Sequence, residues 1–283
     1  MKTSRSERAG GHAIEAESHI PSRAALSYLF LLLTAALAVV PLWQIGTLAF
    51  QSTSGASAGL ANFRQLLTTT EFLRWLGNSL LVAAAVTVVG VFISATAGYA
   101  LSRFRFFGRL VLLGSLLLTQ IFPATMLLLP IFLILVQFKL INTFLGLILV
   151  YLVTVLPFCI WQMKAFYDRI PETIEEAAAM DGCTPAETFW RVVVPISGQG
   201  LVVTALFSFA AAWNEYVVAA ILMQDSEMFT LPVGLRLLHA DSMAGEPGLF
   251  AAAALLITLP MLGLYLLLSR FLIARVQDIS IRH

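Results

Sequence analysis

Acidic residues, alanines and one glycine are concentrated in a single segment of an otherwise apolar chain. The segment "EEAAAMDGCTPAETFWRVVVPIS" runs from Glu175 to Ser197, and six of the 16 Asp and Glu residues lie between Lys164 and Gly200. Surface carboxylates can pair with basic groups of another molecule, and alanine side chains leave room for its close approach. These residue types favour docking of another protein over bond-breaking chemistry, with a solvated amphipathic helix as the alternative.

The order of residues predicts a helix that begins at Pro171 and ends at Gly182. Proline suits the first helical position, and the three glutamates that follow lie where the helix dipole favours negative charge. Ala177–Ala179 are strong helix formers, and glycine suits the left-handed position that terminates a helix. A second helix is predicted from Thr184, whose side chain can form a capping box with Glu187.

The second helix carries an apolar stripe at helical spacing, formed by Ala186, Phe189, Trp190 and Val193. We expect this stripe to face the membrane interface and Pro195 to end the helix. A helix, a glycine turn and a second helix would then lie across one face of a membrane.

The other reactive residue types do not form a catalytic or metal-binding set. The four histidines are spread over the sequence without ligand spacing, and the two cysteines indicate neither a disulfide nor a metal site. The pattern G-x-x-x-x-G-K-[ST] does not occur, so the chain itself does not bind ATP through a P-loop. We therefore predict no enzyme activity, no cofactor in this chain and no nucleic-acid binding.

Helices long enough to cross a lipid bilayer must position the acidic segment. The 283 residues are 59% hydrophobic and 12% charged, with a mean hydropathy of +0.88. About 20 apolar residues span a bilayer, and they do so as a helix because backbone groups in lipid need internal hydrogen bonds. Continuous apolar runs predict six spans: 25–47, 79–101, 110–135, 141–163, 201–223 and 250–268.

The resulting domain organisation is an all-α integral membrane domain over residues 24–275, with polar tails over 1–23 and 276–283. Of the 17 Lys and Arg residues, all but Arg64, Arg74, Lys139 and Arg236 fall on the side that carries both tails and the 164–200 loop. Loops rich in Lys and Arg remain in the cytoplasm. We therefore expect both termini and the acidic segment to be cytoplasmic.

The acidic segment resembles the EAA motif of permease subunits of bacterial ABC importers. That motif consists of Glu-Ala-Ala, three residues, Gly, nine residues, and then an aliphatic residue, any residue, an aliphatic residue and Pro. The matching residues here are Glu176, Ala177, Ala178, Gly182, Val192, Val194 and Pro195. Three longer stretches, 78–109, 142–178 and 207–235, resemble the carbohydrate branch of the family, to which the maltose-transporter permease belongs.

The resemblance implies a six-helix, type I ABC-importer permease (MetI-like) fold in the bacterial inner membrane. It implies that the segment is a coupling helix, in which Glu175 and Asp181 join the motif residues at a cytoplasmic ATPase. The implied partners are a second permease, two ATPase copies that bind ATP and Mg²⁺, an extracytoplasmic substrate-binding protein and membrane lipid. The implied cargo is an oligosaccharide or similar carbohydrate. A secondary transporter and a non-transporting membrane scaffold are the alternatives.

A few polar side chains inside the predicted spans are candidates for lining the translocation path. An intramembrane carboxylate is expensive in lipid and faces a cavity or a partner, which singles out Glu215 together with its neighbours Trp213 and Asn214. The alternative role for these residues is an interhelical hydrogen bond that fixes the bundle. Gln120 and Tyr99 are further candidates, with packing as the alternative.

Overall fold

The computed structural model describes residues 22–51, 59–121, 124–242 and 247–273, and its regular structure within these ranges is entirely helical. Most of the predicted tail 1–23 and all of the tail 276–283 lie outside the described residues. The described residues before Ile45 and those from Ile45 onward form separate units. The first helix, α1, covers Ser22–Phe50, and its large apolar side chains between residues 28 and 43, such as Leu32 and Leu37, are exposed.

Twelve further α-helices follow within the described part of the second unit. They are α2 (Ala61–Thr69), α3 (Phe72–Arg103), α4 (Arg109–Ile121), α5 (Leu128–Gln137), α6 (Phe144–Tyr167), α7 (Glu172–Met180), α8 (Pro185–Thr188), α9 (Val194–Ile196), α10 (Gly198–Asn214), α11 (Val217–Leu222), α12 (Leu231–Ser242) and α13 (Pro247–Ile273). Short 3₁₀ turns precede α5 and α12, and a π-helical turn over Phe189–Val193 joins α8 to α9.

The number of uninterrupted apolar helices is smaller than the six predicted spans. Four described helices, α1, α3, α6 and α13, are long and apolar enough to cross a membrane. A fifth crossing is reached if the helical run Pro185–Ile196 and α10, which meet at a bend of 76°, form one broken span. The helix of the predicted second span is longer than expected, because α3 already begins at Phe72. The helix of the predicted fourth span is shifted toward the C-terminus, because α6 ends at Tyr167.

The predicted third and fifth spans are each divided between two helices. The third comprises α4, which ends at Ile121, and α5, which begins at Leu128 after a 3₁₀ turn. Pro123, between these two helices, falls outside the described residues, whereas Pro130 lies in the first turn of α5, where a missing N–H is tolerated. The fifth divides at Glu215, whose backbone is extended between α10 and α11.

The core of the second unit forms where α3, α6 and α10 pack together. Its buried side chains include Val86 of α3, Tyr151 of α6 and Trp213 of α10. The helices α3 and α6 approach closely at Gly98, where an added methyl group would lie 2.8 Å from Cβ of Met163. Small residues permit such close helix contacts in membranes, and the contact brings the ends of α3 and α6 next to the acidic segment.

Pro195 does not end the helix that precedes it, which corrects the prediction. The helical run continues to Ile196 and breaks at Ser197. A proline inside an α-helix clashes with the carbonyl four residues earlier. Here the preceding turn is a π-helical one, closed by a hydrogen bond from Val194 N to the Phe189 carbonyl, and this wider turn accommodates the proline ring.

Candidate functional site

The glycine turn of the acidic segment has the geometry predicted for it. Gly182 has a φ of +88°, a conformation that costs a residue with a Cβ atom about 1–2 kcal/mol. The Cys183 N–H donates to the Ala178 carbonyl and the Gly182 N–H to the Ala179 carbonyl, both at 3.0 Å. This pair of bonds is a Schellman motif, which satisfies the last carbonyls of α7. Pro171 is the residue before α7 rather than its first residue.

The second helix of the segment begins with the predicted capping box. The Thr184 N–H donates to the Glu187 carboxylate at 3.0 Å, and the Glu187 N–H donates to the Thr184 hydroxyl at 3.3 Å. The hydrogen bond from the Thr184 backbone, followed by that from its hydroxyl, holds the pKa of the Glu187 carboxyl below its usual value. The turn between α7 and α8 is therefore held by hydrogen bonds on both sides.

The segment is tied to the end of α3 by a group of three side chains, which we call the latch: Tyr99, Arg103 and Glu175. The Arg103 Nε donates to the Glu175 carboxylate at 2.6 Å, and the Tyr99 hydroxyl donates to the same carboxylate at 2.7 Å. A second nitrogen of Arg103 donates to the Ile170 carbonyl at 2.9 Å. The side chains of Arg103 and Glu175 are only 10% and 15% exposed. The latch is therefore a largely buried, charge-assisted connection between α3 and α7.

A second connection joins α3 to the loop that precedes α7. The Ser102 hydroxyl and the Lys164 ammonium each donate to the Asp168 carboxylate at 2.6 Å. Burial opposes ionisation of Asp168, but the hydrogen bonds from Lys164 and Ser102 outweigh it, so the pKa of this carboxyl lies below its usual value. With the latch, this contact ties the segment to both α3 and α6.

Two of the four residues of the apolar stripe pack on the protein instead of facing the membrane interface as predicted. Phe189 and Val193 are buried in a cluster that contains Met163 and Tyr167 of α6. The rings of Phe189 and Tyr99 lie 4.7 Å apart. The other two, Ala186 and Trp190, are exposed. Aromatic and aliphatic packing therefore reinforces the polar latch.

The remaining motif residues divide between the surface and the bundle. Glu176, Ala177, Asp181 and Pro195 are exposed, Ala178 is buried, and Val192 and Val194 are half-buried. Glu176 lines a cleft of about 340 Å³ together with Glu172, Ala179 and the latch. Glu175 lies against α3, whereas Glu176 forms no ion pair within the described part of the chain. The arrangement leaves one carboxylate of the pair exposed beside small side chains. Roles for these residues in docking stay predictions.

At the opposite end of the packed helices, Glu215 caps a short helix. Its carboxylate accepts hydrogen bonds from the N–H groups of Val218 at 3.0 Å and Ala219 at 3.2 Å. The Tyr151 hydroxyl of α6 donates to it at 2.9 Å. Glu215 thus satisfies the first N–H groups of α11 and joins that helix to α6. This geometry favours the alternative role for Glu215, an interhelical hydrogen bond that stabilises the bundle, over a role in lining the translocation path.

Trp213 and Asn214 line a second cavity, of about 400 Å³, which we call the distal cavity. Its other walls come from α12 and α13 and from the residue before α11, and include Tyr216, Arg236, His239 and Phe250. Asn214 is exposed and its amide donates to the Ala210 carbonyl, whereas Trp213 is buried and stacked on Phe209. The cavity combines aromatic rings with an amide and a cation, which are groups that can hold a polar organic molecule.

The two other candidate residues do not join this cavity. Tyr99 belongs to the latch, and Gln120 is exposed on α4. Sequence reasoning did not single out Arg103, Ser102 or Tyr151 as functional. Arg103 was counted only as one of the basic residues that set orientation, and its proximity to Glu175 depends on how α3 packs against the segment.

Comparison with known proteins identifies the family. Residues 90–278 match the family described as "Binding-protein-dependent transport system inner membrane component". The trehalose transport system permease protein SugB of Mycobacterium tuberculosis is 35% identical over 246 residues, which cover 84% of this chain and 90% of that protein. The maltodextrin transport system permease protein MdxG of Bacillus subtilis is 31% identical over 252 residues, covering 86% and 91%.

The fold is also that of a solved transporter. The crystal structure of a bacterial ABC transporter involved in the import of the acidic polysaccharide alginate superposes with a TM-score of 0.76 and 20% identity, covering 88% of this chain and 96% of that chain. These findings confirm the ABC-importer permease fold and the resemblance inferred from the EAA motif, and the relatives are permeases rather than enzymes. The chain belongs to the family of inner-membrane components of binding-protein-dependent transport systems.

Proposed function

We propose that this chain is one transmembrane subunit of an ATP-driven carbohydrate importer, coupled to cytoplasmic ATPases through α7, Gly182 and α8. The observation that carries the proposal is the latch, because it joins an exposed surface element rigidly to a long apolar helix. A force applied to α7 by another protein would reach α3 through Glu175 and Arg103. Rigid-body motion of an ATPase pair could then rock the membrane helices between two states.

The docking surface consists of Glu176, Ala177 and the residues of the glycine turn. Glu176 is exposed next to alanines, so a basic side chain of an ATPase can approach it closely. ATP and Mg²⁺ belong to the ATPase subunits in this proposal. Two ATPase copies, a second permease and an extracytoplasmic substrate-binding protein complete the complex, which lies in the inner membrane with both termini cytoplasmic.

Carbohydrate is proposed as the cargo because of the relatives and the distal cavity. Relatives of this chain include permeases named for trehalose and for maltodextrin transport. The distal cavity offers aromatic rings for the apolar faces of a sugar and Asn214 and Arg236 for its hydroxyls. The path would run past Trp213 and Asn214, with Glu215 holding the adjoining helix in place.

The test uses the complex purified from its native host and reconstituted in vesicles with the binding protein outside. Glu176→Ala is expected to lose substrate-stimulated ATP hydrolysis and uptake together, because it removes a charge-assisted contact of about 1.5–3 kcal/mol. Subunit abundance should stay normal, since the exposed Glu176 contributes nothing to the bundle. Glu172→Ala is the matched control, because it removes an exposed glutamate from the same cleft outside the EAA pattern.

Three outcomes would contradict the proposal. Full uptake and ATP coupling in Glu176→Ala would show that α7 is not the docking surface. Uptake that needs an ion gradient and continues without ATP would instead indicate a secondary transporter, which uses charged coupling residues near the middle of the membrane. Purification without an ATPase under mild conditions would favour a non-transporting scaffold.

A further inference from the structure

A third cavity, of about 500 Å³, lies between α6 and α10 at the end of the bundle that carries the acidic segment. We call it the proximal cavity. It is lined by Phe158, Trp161, Gln162, Phe166 and Arg169 from α6 and the loop after it, and by Gln199 from α10. None of these residues belongs to the latch, to the EAA pattern or to the distal cavity. The volume lies within the range of about 300–1,000 Å³ that is usual for small-molecule sites.

The polar group at the base of the proximal cavity lacks a partner. The side-chain oxygen Oε1 of Gln162 is buried and accepts no hydrogen bond from any described residue. A buried acceptor without a donor costs about 1–3 kcal/mol, so a molecule that supplies an O–H or N–H here would recover that free energy. Gln199 adds a second amide on the facing helix.

The aromatic walls of the proximal cavity are held in place by packing. An added Cβ at Gly200 would lie 2.9 Å from Cγ of Phe166, so α10 presses directly on this ring. The Phe158 ring lies 4.2 Å from that of Phe207. Trp161 is 44% exposed, which leaves its indole accessible to a ligand. Fixed rings bind the apolar face of a flat ligand with little loss of side-chain entropy.

We propose that the proximal cavity is a second carbohydrate-binding subsite, occupied after the cargo has passed the distal cavity. The inference rests on the proposed import of a carbohydrate. A sugar ring presents C–H faces to aromatic rings and hydroxyl donors to amide oxygens, and the cavity offers both groups side by side. A hydroxyl donates to Gln162 Oε1, Trp161 covers the ring face, and Gln199 and Arg169 bind the outer hydroxyls.

The charge of the lining residues distinguishes a neutral sugar from the headgroup of an anionic lipid. Arg169 is the one charged side chain among the residues that line this cavity. Sites for phosphate groups gather several cations or backbone N–H groups, whereas two amides and three aromatic rings fit a polyhydroxylated ring. A phosphate also offers acceptors where Gln162 Oε1 needs a donor.

Tryptophan fluorescence of the assembled, nucleotide-free complex in lipid nanodiscs tests the subsite. Trehalose and maltotriose are the probes, together with any sugar that the vesicles import, and proline serves as a neutral solute without sugar hydroxyls. A saturable change is expected with sugar and not with proline. The part of the change that comes from Trp161 should disappear in Trp161→Phe, whereas a signal from Trp213 in the distal cavity remains. The Trp161 signal should persist in Trp43→Phe, which alters an exposed tryptophan outside both cavities.

A second variant separates sugar binding from folding and from coupling. Gln162→Leu should weaken sugar binding at least tenfold and slow uptake severalfold, while ATP hydrolysis stimulated by the binding protein remains. If Gln162→Leu does not assemble, Gln199→Leu on the facing helix is expected to weaken binding severalfold in the same assay.

The possible outcomes distinguish failure of the subsite proposal from failure of the proposed function. Sugar import without any fluorescence change that depends on Trp161 would overturn the subsite and leave the importer proposal intact. A change produced by short-chain phosphatidylglycerol and not by sugars would overturn it in favour of a lipid site. Absence of import for every sugar tested would overturn the proposed function and the subsite with it.

Discussion

Two glutamates at opposite ends of the packed helices each accept a hydrogen bond from a tyrosine, but their charges are balanced differently. Glu175 is paired with Arg103 of another helix and with the Tyr99 hydroxyl. Within the described part of the chain, Glu215 forms no ion pair, and its carboxylate accepts hydrogen bonds from the Tyr151 hydroxyl and two N–H groups of α11. The first arrangement joins distant parts of the chain, whereas the second mainly caps the next helix.

This difference bears on what each end of the molecule can do. An ion pair that is almost fully buried holds α7 and α3 in one relative position, because separating them exposes or isolates two charges. A helix cap stabilises a local bend and leaves the neighbouring surface available. Rigidity at the latch suits an element that transmits force, and the break at Glu215 leaves Trp213 and Asn214 at a cavity wall.

The largest effect is expected from breaking the latch with Arg103→Met. The change leaves the Glu175 carboxylate almost buried without its cation, which costs about 3–5 kcal/mol when one partner of a buried pair is removed. Thermal unfolding of the complex should occur at a markedly lower temperature, and ATP-driven uptake should be lost. Arg105→Met is the control and should change neither, because Arg105 is an exposed arginine in the loop just after α3.

A double variant sharpens the test of the latch. Arg103→Met combined with Glu175→Met removes both charges and should recover much of the stability, because apolar residues often replace a buried ion pair without loss. Recovery of stability without recovery of uptake would indicate that the ion pair itself transmits force. Equal stability of the single and double variants would refute the described coupling between the two side chains.

The next largest effect is expected from Glu215→Gln at the distal end. The amide keeps an acceptor for the hydroxyl and N–H groups, but it replaces hydrogen bonds to a charged group of about 1.5–3 kcal/mol by neutral ones of about 0.5–1.5 kcal/mol. The amount of assembled complex and its unfolding temperature should fall. Normal stability and abundance combined with altered uptake would instead assign Glu215 to the translocation path.

Asn214→Leu is the matched variant for that comparison. Asn214 is exposed and bonded only to the Ala210 carbonyl of its own helix within the described contacts, so its loss should hardly affect unfolding. Because Asn214 lines the distal cavity, uptake should fall severalfold. Unchanged uptake at reduced complex abundance would reverse the roles proposed for the two neighbours.

A smaller effect on stability and a large one on coupling are expected from Gly182→Val. An added side chain meets open space, since no atom lies within 4 Å of a Cβ placed there, so the penalty is the positive φ alone, about 1–2 kcal/mol. Subunit abundance should stay near normal while ATP-coupled uptake is lost. Gly198→Ala, also in open space but without a positive φ, is the control. Full coupling in Gly182→Val would remove the turn from the docking surface.

The smallest effect is expected from Thr184→Ala, which removes a helix cap worth about 0.5–2 kcal/mol. Uptake should be reduced but measurable.

The capping box also predicts a pH dependence of local stability. Because the pKa of Glu187 is lowered in the folded chain, the stabilisation is present at neutral pH and is lost as the pH falls through that lowered pKa. Glu187→Gln should abolish this acid-dependent step in hydrogen exchange of the α7–α8 turn.

Local features of the acidic segment could be predicted because they depend on neighbouring residues. The glycine turn, the capping box and the helical character of both sides follow from backbone preferences that act within a few positions. The apolar helices could be predicted because the length and hydropathy of a segment decide whether it crosses a membrane. The family could be predicted because the residues of the EAA motif have a fixed spacing. The helix ends and the span count were less accurate, because the predicted third span is divided between α4 and α5 and the predicted fifth is divided at Glu215.

The partners of the charged side chains were decided only by tertiary structure. The sequence assigned Glu176 to the motif and placed Glu175 beside it as a further docking residue, but it did not indicate that Glu175 has partners within the chain. The packing of α3 at Gly98 brings Arg103 and Tyr99 to Glu175. In the same way, the extended backbone at Glu215 places its carboxylate where it caps the first turn of α11. Sequence determines which groups must be paired in a medium of low polarity, and helix packing determines which pairs form, because a hydrogen bond requires contact within about 3 Å.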